Sequence, residues 1–187
     1  MVMNPTSTPG IKRFVDPSKV VSHFYLREGD VIADYGAGSG FFAEILASKV
    51  GSTGRVYACD IQKDLVDKVG VLARTKGLSM IDPLWCDLEE ERGLKINDGI
   101  LDAGIMVNVL FQLENKHIAL QEVNRTLRSG GKFFLIDWSE SFGGLGPQPD
   151  EVVSMGQAQA LVEEHGFVYE RTFDAGDHHY GLAFRKI

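Results

Sequence analysis

Three glycines and two acids carry the chemistry that this sequence could do. The run Asp34-Tyr35-Gly36-Ala37-Gly38-Ser39-Gly40 sets glycines at 36, 38 and 40, between an apolar stretch and a segment of helical period. Glycine is needed where a backbone turns tightly or lies against a ligand, because a Cβ would collide with it. A dinucleotide fingerprint of the GxGxxG kind would want glycines at 36, 38 and 41 and would rest a pyrophosphate on the next helix. Position 41 is Phe. Asp60 stands 20 residues after Gly40, where an acid can accept both hydroxyls of a bound ribose. Asp87 closes the next apolar stretch and is placed to meet an adenine amino group. One acid closing a strand can be no more than a turn former. Two acids in register with a glycine loop favour a nucleoside-like ligand.

These residues need a parallel sheet to hold them. Short apolar runs alternate with helical periods almost to the end of the chain, the pattern of an α/β fold. The expected strands are 31–35, 55–59, one ending at 85–86, 101–107 and 132–137, followed by 167–173 and 180–185. Helices are expected from Asp16-Pro17 to Phe24, and over 41–50, 62–75, 115–127 and 151–165, with Gly166 as a stop and a turn at 128–131. The last two strands are joined only by 174–179, too short for a parallel crossover, so they must run antiparallel. Residues 1–10 are polar and expected to be flexible, leaving 11–187 as one domain.

Composition narrows the class. The chain has 187 residues with 19 basic and 26 acidic side chains, a net charge of −7, which disfavours a protein whose task is gripping nucleic-acid phosphates. With 44% hydrophobic and 24% charged residues it reads as globular, not as a disordered chain or a fibre. No apolar run approaches the ~20 residues of a spanning helix, and no secretory signal opens the sequence. Cys59 and Cys86 lack metal spacing and read as reduced, packed thiols. The cytoplasm is the expected compartment.

The run Asp34-x-Gly36-x-Gly38-x-Gly40, then Asp60, Asp87 and Leu127-x-x-Gly130-Gly131-x-Phe133, resembles the class I S-adenosylmethionine-dependent methyltransferases, in particular the type 11, quinone-biosynthesis-like branch. The resemblance runs from about residue 16 to 187. It implies a Rossmann-like α/β sheet of seven strands with the last antiparallel and helices on both faces, in agreement with the inferred hairpin. It also implies that Gly36, Ala37 and Gly38 line the methionine part of S-adenosylmethionine, with Gly40 completing the loop. Asp60 would hold the ribose hydroxyls with Ile61 over one adenine face, Asp87 the adenine amino group with Leu88 beside the ring, and Asn108 the methionyl end. Asp34 would fix the loop near the methionine amine.

A sulfonium-borne methyl is already activated, so such a domain needs approach geometry and water exclusion more than a catalytic constellation. Asn108-Val-Leu-Phe111 does not match the segment that marks amino methyltransferases of adenine or glutamine. Asp137-Trp138 offers one acid where catechol-type enzymes bind a metal, and no metal is expected. Candidates on the acceptor side are Asp137, Trp138 and Glu140 after the fifth strand, and His178 and His179 before the last. Phe14, His23 and Tyr25 could form a lid or simply pack the first helix. The sequence has no insertion to recognise a polymer, which favours a small-molecule acceptor or a site completed by an oligomer or partner subunit. Two other readings stay open: an S-adenosylmethionine-binding subunit without catalysis, and an NAD-dependent oxidoreductase, which Phe41 disfavours.

Overall fold

The computed structural model describes residues 15–187. The expectations for 1–10 and for Phe14 lie outside the described residues. Seven strands, Val31–Tyr35 (β1), Arg55–Asp60 (β2), Ile81–Trp85 (β3), Leu101–Val107 (β4), Leu127–Trp138 (β5), Phe167–Phe173 (β6) and His179–Lys186 (β7), form one sheet in the order β3-β2-β1-β4-β5-β7-β6. β7 is antiparallel to both neighbours, and the pairs among β1 to β5 are parallel. The order reverses at β1, between β2 and β4. In an open α/β sheet that reversal opens a crevice at the carboxyl ends of the strands.

The helices are Pro17–Ser22 (α1), Ala43–Val50 (α2), Lys63–Lys76 (α3), Lys116–Thr126 (α4) and Met155–Glu163 (α5). Alternation along each strand splits the core in two. One face buries Tyr35, Met106, Phe133 and Phe184 under Leu120 and Val123 of α4 and Val162 of α5. The other buries Ile32, Ile105 and Phe134 under Val21 of α1, Leu46 of α2 and Val69 of α3. Strands covered on both faces read as unbroken apolar runs, which is why β1 and β4 are legible in the sequence.

Three of the departures from the expected boundaries have an identifiable local cause. Helix α2 starts at Ala43, not 41, because residues 37–42 complete a turn, and Phe42 caps it without a side-chain bond. The expected turn at 128–131 lies within β5: pairing begins at Leu101 with Leu127 and resumes at Ala103 with Lys132, so the intervening residues loop out as a bulge. Helix α5 begins four residues late, because Ser154 and Gln157 form a capping box that accepts the start at Met155. Ser154→Ala should lower stability by about 1 kcal/mol, read as a shift in the urea midpoint with unchanged slope.

The connection from β3 to β4, which begins with Cys86 and Asp87, is clasped onto α4. Glu122 accepts the backbone N–H groups of Arg92 and Leu94, and Arg125 donates to the carbonyl oxygens of Leu94 and Ile96. The wall that carries Asp87 is thereby fixed to the main core.

Candidate functional site

The glycine loop is tied to the end of β2. Gly36 and Ala37 both donate to the Cys59 carbonyl at 2.8 Å, and Gly38 donates to Asp60 Oδ2 at 2.9 Å. Asp60 Oδ1 accepts the Gln62 N–H at 2.9 Å, so the carboxylate braces both sides of the crevice and each oxygen keeps a lone pair for a ligand. Gly36 and Gly38 have φ of +80° and +57°. A Cβ on Gly36 would sit 2.4 Å from Val109 Cγ2, while one on Gly38 would meet nothing within 4 Å and project into open space. Gly38→Ala should therefore cost about 1 kcal/mol of stability through backbone strain while weakening ligand binding about tenfold, which paired thermal melts and calorimetry would separate.

Between this loop, the ends of β2 and β3 and the turn after β4 lies a cleft of about 330 Å³. Gly36, Gly38, Asp60, Ile61, Asp87, Leu88 and Asn108 line it together with Gln62, Glu89 and Gln112. Ile61 is 55% exposed, with its carbonyl held by Trp85 Nε1 at 2.7 Å, and faces buried Leu88 as one of the apolar walls. The thiols of Cys59 and Cys86 form part of the floor. A hydrogen bond to Cys86, followed by burial, pushes the Cys59 thiol up, so Cys59 is an inert packing group, and Cys86 is buried beside it. Among the described residues the lining holds three acids, Asp60, Asp87 and Glu89, and no Lys or Arg.

Two buried oxygens in this region lack a hydrogen-bond partner. Asp34 Oδ2 lies under the glycine loop, and Asn108 Oδ1 sits at the end of β4. Burial, helped by the charge of Asp60, pushes the Asp34 carboxyl up to about 7. Asn108 takes a left-handed conformation, φ +57°, held by its N–H to Ile136 and by Gln112 Nε2 on its carbonyl. Buried, unsatisfied acceptors are rare in native structures and mark places where a donor from outside the chain is expected.

A second cluster gathers where β5 ends and β7 begins. Asp137 is buried, with Oδ1 on the Trp138 N–H and Oδ2 on the Phe111 N–H, so it holds the short 3-10 turn Leu110–Gln112 that shapes the cleft wall. Burial pushes its carboxyl up to about 6 against those two bonds. His178 Nδ1 meets Glu140 Oε1 at 2.7 Å and its ring stacks on Phe142 at 3.8 Å. His179 packs against Trp138, centroids 4.3 Å apart, and burial holds its imidazole below the ordinary range. Trp138 is itself covered by Gly146, where a Cβ would fall 2.4 Å from the indole, so it anchors the 141–149 loop.

Of the residues expected to bind a cofactor, seven line the cleft and three stand behind it. Asp34 and Ala37 are buried beneath the loop, and Gly40 backs onto Val69 and Leu72 of α3. Asp137, His178 and His179 lie outside the lining altogether. His23 and Tyr25 do not cover the cleft: His23 stacks on Phe173 and Tyr25 lies under Arg171, both on β6. Gln112 and Glu89 were not expected. They enter the lining through a 3-10 turn and a loop, which leave no periodic trace in the sequence.

Residues 33–135, more than half of the chain, match the family model described as a methyltransferase domain of type 11. The chain belongs to that family. A ubiquinone/menaquinone biosynthesis C-methyltransferase of Chromobacterium violaceum is 32% identical over 154 residues, 78% of this chain and 58% of the relative. The chain thus spans little more than half the length of that relative. The structure is similar to that of an S-adenosylmethionine-dependent methyltransferase from Aquifex aeolicus, with a TM-score of 0.85 at 27% identity over 93% of this chain and 91% of the other. It is also similar in fold to the [4+2]-cyclase SpnF, TM-score 0.78 at 17% identity over 91% and 80% of the two chains. The same fold thus carries more than one kind of named activity, and function must be argued from the site. Among the described residues, no helix is long and apolar enough to cross a membrane.

Proposed function

We propose that this protein is an S-adenosylmethionine-dependent methyltransferase acting on a small-molecule acceptor. The observation that carries this reading is the charge of the cleft: among the described residues it holds three acids and no Lys or Arg, beside a buried acceptor atom of Asp34 without a partner. A ligand with a sulfonium and an ammonium suits such a cleft. A dinucleotide diphosphate does not, and α2 begins at Ala43, displaced from the glycine loop where a pyrophosphate would need its first N–H groups.

On this reading Asp60 accepts the ribose hydroxyls, Asp87 takes the adenine amino group, and Ile61 and Leu88 enclose the ring. Gly36 and Gly38 let the backbone approach the methionyl chain. Asn108 Oδ1 and, from behind the loop, the Asp34 carboxylate supply acceptors for two of the three N–H groups of its ammonium. The bound sulfonium supplies a methyl group already activated for in-line displacement. The chain's part is to exclude water and to fix the acceptor on the far side of that methyl. The acceptor enters over the carboxyl ends of β4 and β5, bounded by the 141–149 loop, by the 174–178 connection that bears His178, and by His179 at the start of β7.

The name of the Chromobacterium relative makes C-methylation in quinone biosynthesis the first case to examine. Incubation with S-adenosylmethionine labelled in the methyl group, across a panel of quinols, phenols, amines and carboxylates, tests the activity. Label in at least one small product supports it. Saturable cofactor binding without transfer to any member would instead favour a cofactor-binding subunit that serves a partner.

A further inference from the structure

Away from the cleft, two histidines meet at the surface. His117, in the first turn of α4, places Nδ1 3.3 Å from Nε2 of His165, which follows α5, and the ring centroids are 5.1 Å apart. The second nitrogen of His165, Nδ1, lies 2.7 Å from the Leu161 carbonyl oxygen. A carbonyl only accepts, so in the neutral ring the His165 proton sits on Nδ1 and its Nε2 carries a lone pair turned toward His117.

We propose that His117 and His165 form a binding site for a divalent transition-metal ion of the zinc type. Two metal–nitrogen bonds of about 2.0–2.1 Å at a tetrahedral angle hold their nitrogens about 3.3 Å apart, the separation seen here. A right-angle bite, as in square-planar or octahedral coordination, would need about 2.9 Å. Imidazoles that bind metals characteristically donate their other ring N–H to a carbonyl or carboxylate, which fixes tautomer and ring plane. Leu161 provides that bond before any metal arrives. Starting from the neutral pair, His117 has only to move its proton from Nδ1 to its own Nε2 by exchange with solvent, a change of tautomer that leaves the number of protons the same.

Among the described residues no group of three or more His, Cys, Asp or Glu side chains could hold a metal, so the protein contributes two ligands and water completes the shell. Nitrogen-only donors exclude Mg²⁺ and Ca²⁺, which require oxygen. The bound ion would staple the start of α4 to the chain just past α5. Both helices pack on the same sheet face, and Leu113, which lies just before α4, lines the cleft.

The test uses the full chain with Zn²⁺ by calorimetry and with Co²⁺ by visible absorption. One Zn²⁺ per chain is expected, with the intense d–d bands of four-coordinate Co²⁺ and no response to Mg²⁺. His117→Ala and His165→Ala should each weaken Zn²⁺ binding at least about tenfold, while His23→Ala leaves it unchanged. Circular dichroism confirms that the variants fold. Unchanged Zn²⁺ affinity in either variant, no binding by the parent chain, or the weak spectrum of six-coordinate Co²⁺ would each overturn the proposal.

Discussion

Replacing Asp60 with Ala should weaken S-adenosylhomocysteine binding at least a hundredfold, about 3 kcal/mol. The carboxylate has two tasks that one substitution removes together. Its oxygens hold the N–H groups of Gly38 and Gln62 at 2.9 Å each, so without them the glycine loop loses its anchor to β2. The same oxygens carry the lone pairs offered to two ribose hydroxyls, and hydrogen bonds to a charged group contribute roughly 1.5–3 kcal/mol apiece. Stability should fall as well, by about 1 kcal/mol, the usual effect of stripping a side-chain acceptor from backbone N–H groups. Asp60→Asn, which keeps one carbonyl oxygen, should fall between. Calorimetry on both variants decides the point, and an affinity unchanged by Asp60→Ala would remove Asp60 from the ligand site.

Asp34→Asn should move stability and binding in opposite directions. Burial raises the Asp34 carboxyl from 3.8 to about 7, with Asp60 adding to the effect. Because the folded value lies above the unfolded one, the stability this acid contributes is complete below pH 3.8 and is lost as pH rises through about 7. At pH 8 the ionised, unpartnered carboxylate opposes folding by up to about 4 kcal/mol, a ceiling set by the size of that rise. The Asn variant should therefore be more stable than the parent at pH 8, less the roughly 1–3 kcal/mol of burying an amide without partners, and should lose that advantage by pH 5. Ligand binding should weaken at least about tenfold, because on the proposed reading the carboxylate that destabilises the empty chain is the one that faces the ligand's ammonium. A cation bound beside Asp34 also lowers its pKa, so titrations near pH 7 in buffers of different ionisation heat should show proton release in the parent and none in Asp34→Asn. Equal release in both would place the cation elsewhere.

The two predictions rest on residues that the sequence exposes unequally. Gly36, Gly38, Asp60 and Asp87 are legible because their spacing follows from geometry: a strand must end, turn without side chains, and find an acid where each of the next two strands ends. The hairpin β6–β7 is legible because a six-residue connection cannot cross over a sheet. Asp34 is visible as a residue, but its burial and its unpartnered oxygen belong to the packing of α2 and α3 against β1. Gln112 and Glu89 reach the cleft through a 3-10 turn and a loop, which no hydrophobic period announces. Asp137, attractive as an acid at the end of a strand, is occupied in holding the N–H groups of Phe111 and Trp138. The bulge in β5 was misread because Gly130 and Gly131 signal a turn equally well whether they end a strand or loop out of one. The start of α5 was misplaced although Ser154-Met-Gly-Gln157 spells a capping box.

The central claim is that the acid-lined cleft takes a nucleoside bearing an ammonium and not a diphosphate dinucleotide. Calorimetric titration of the parent chain with S-adenosylhomocysteine and, separately, with NAD⁺ tests it most directly. Saturable binding of S-adenosylhomocysteine at one per chain, with no heat from NAD⁺, is the predicted result. Saturable binding of NAD⁺ with S-adenosylhomocysteine inert would contradict it.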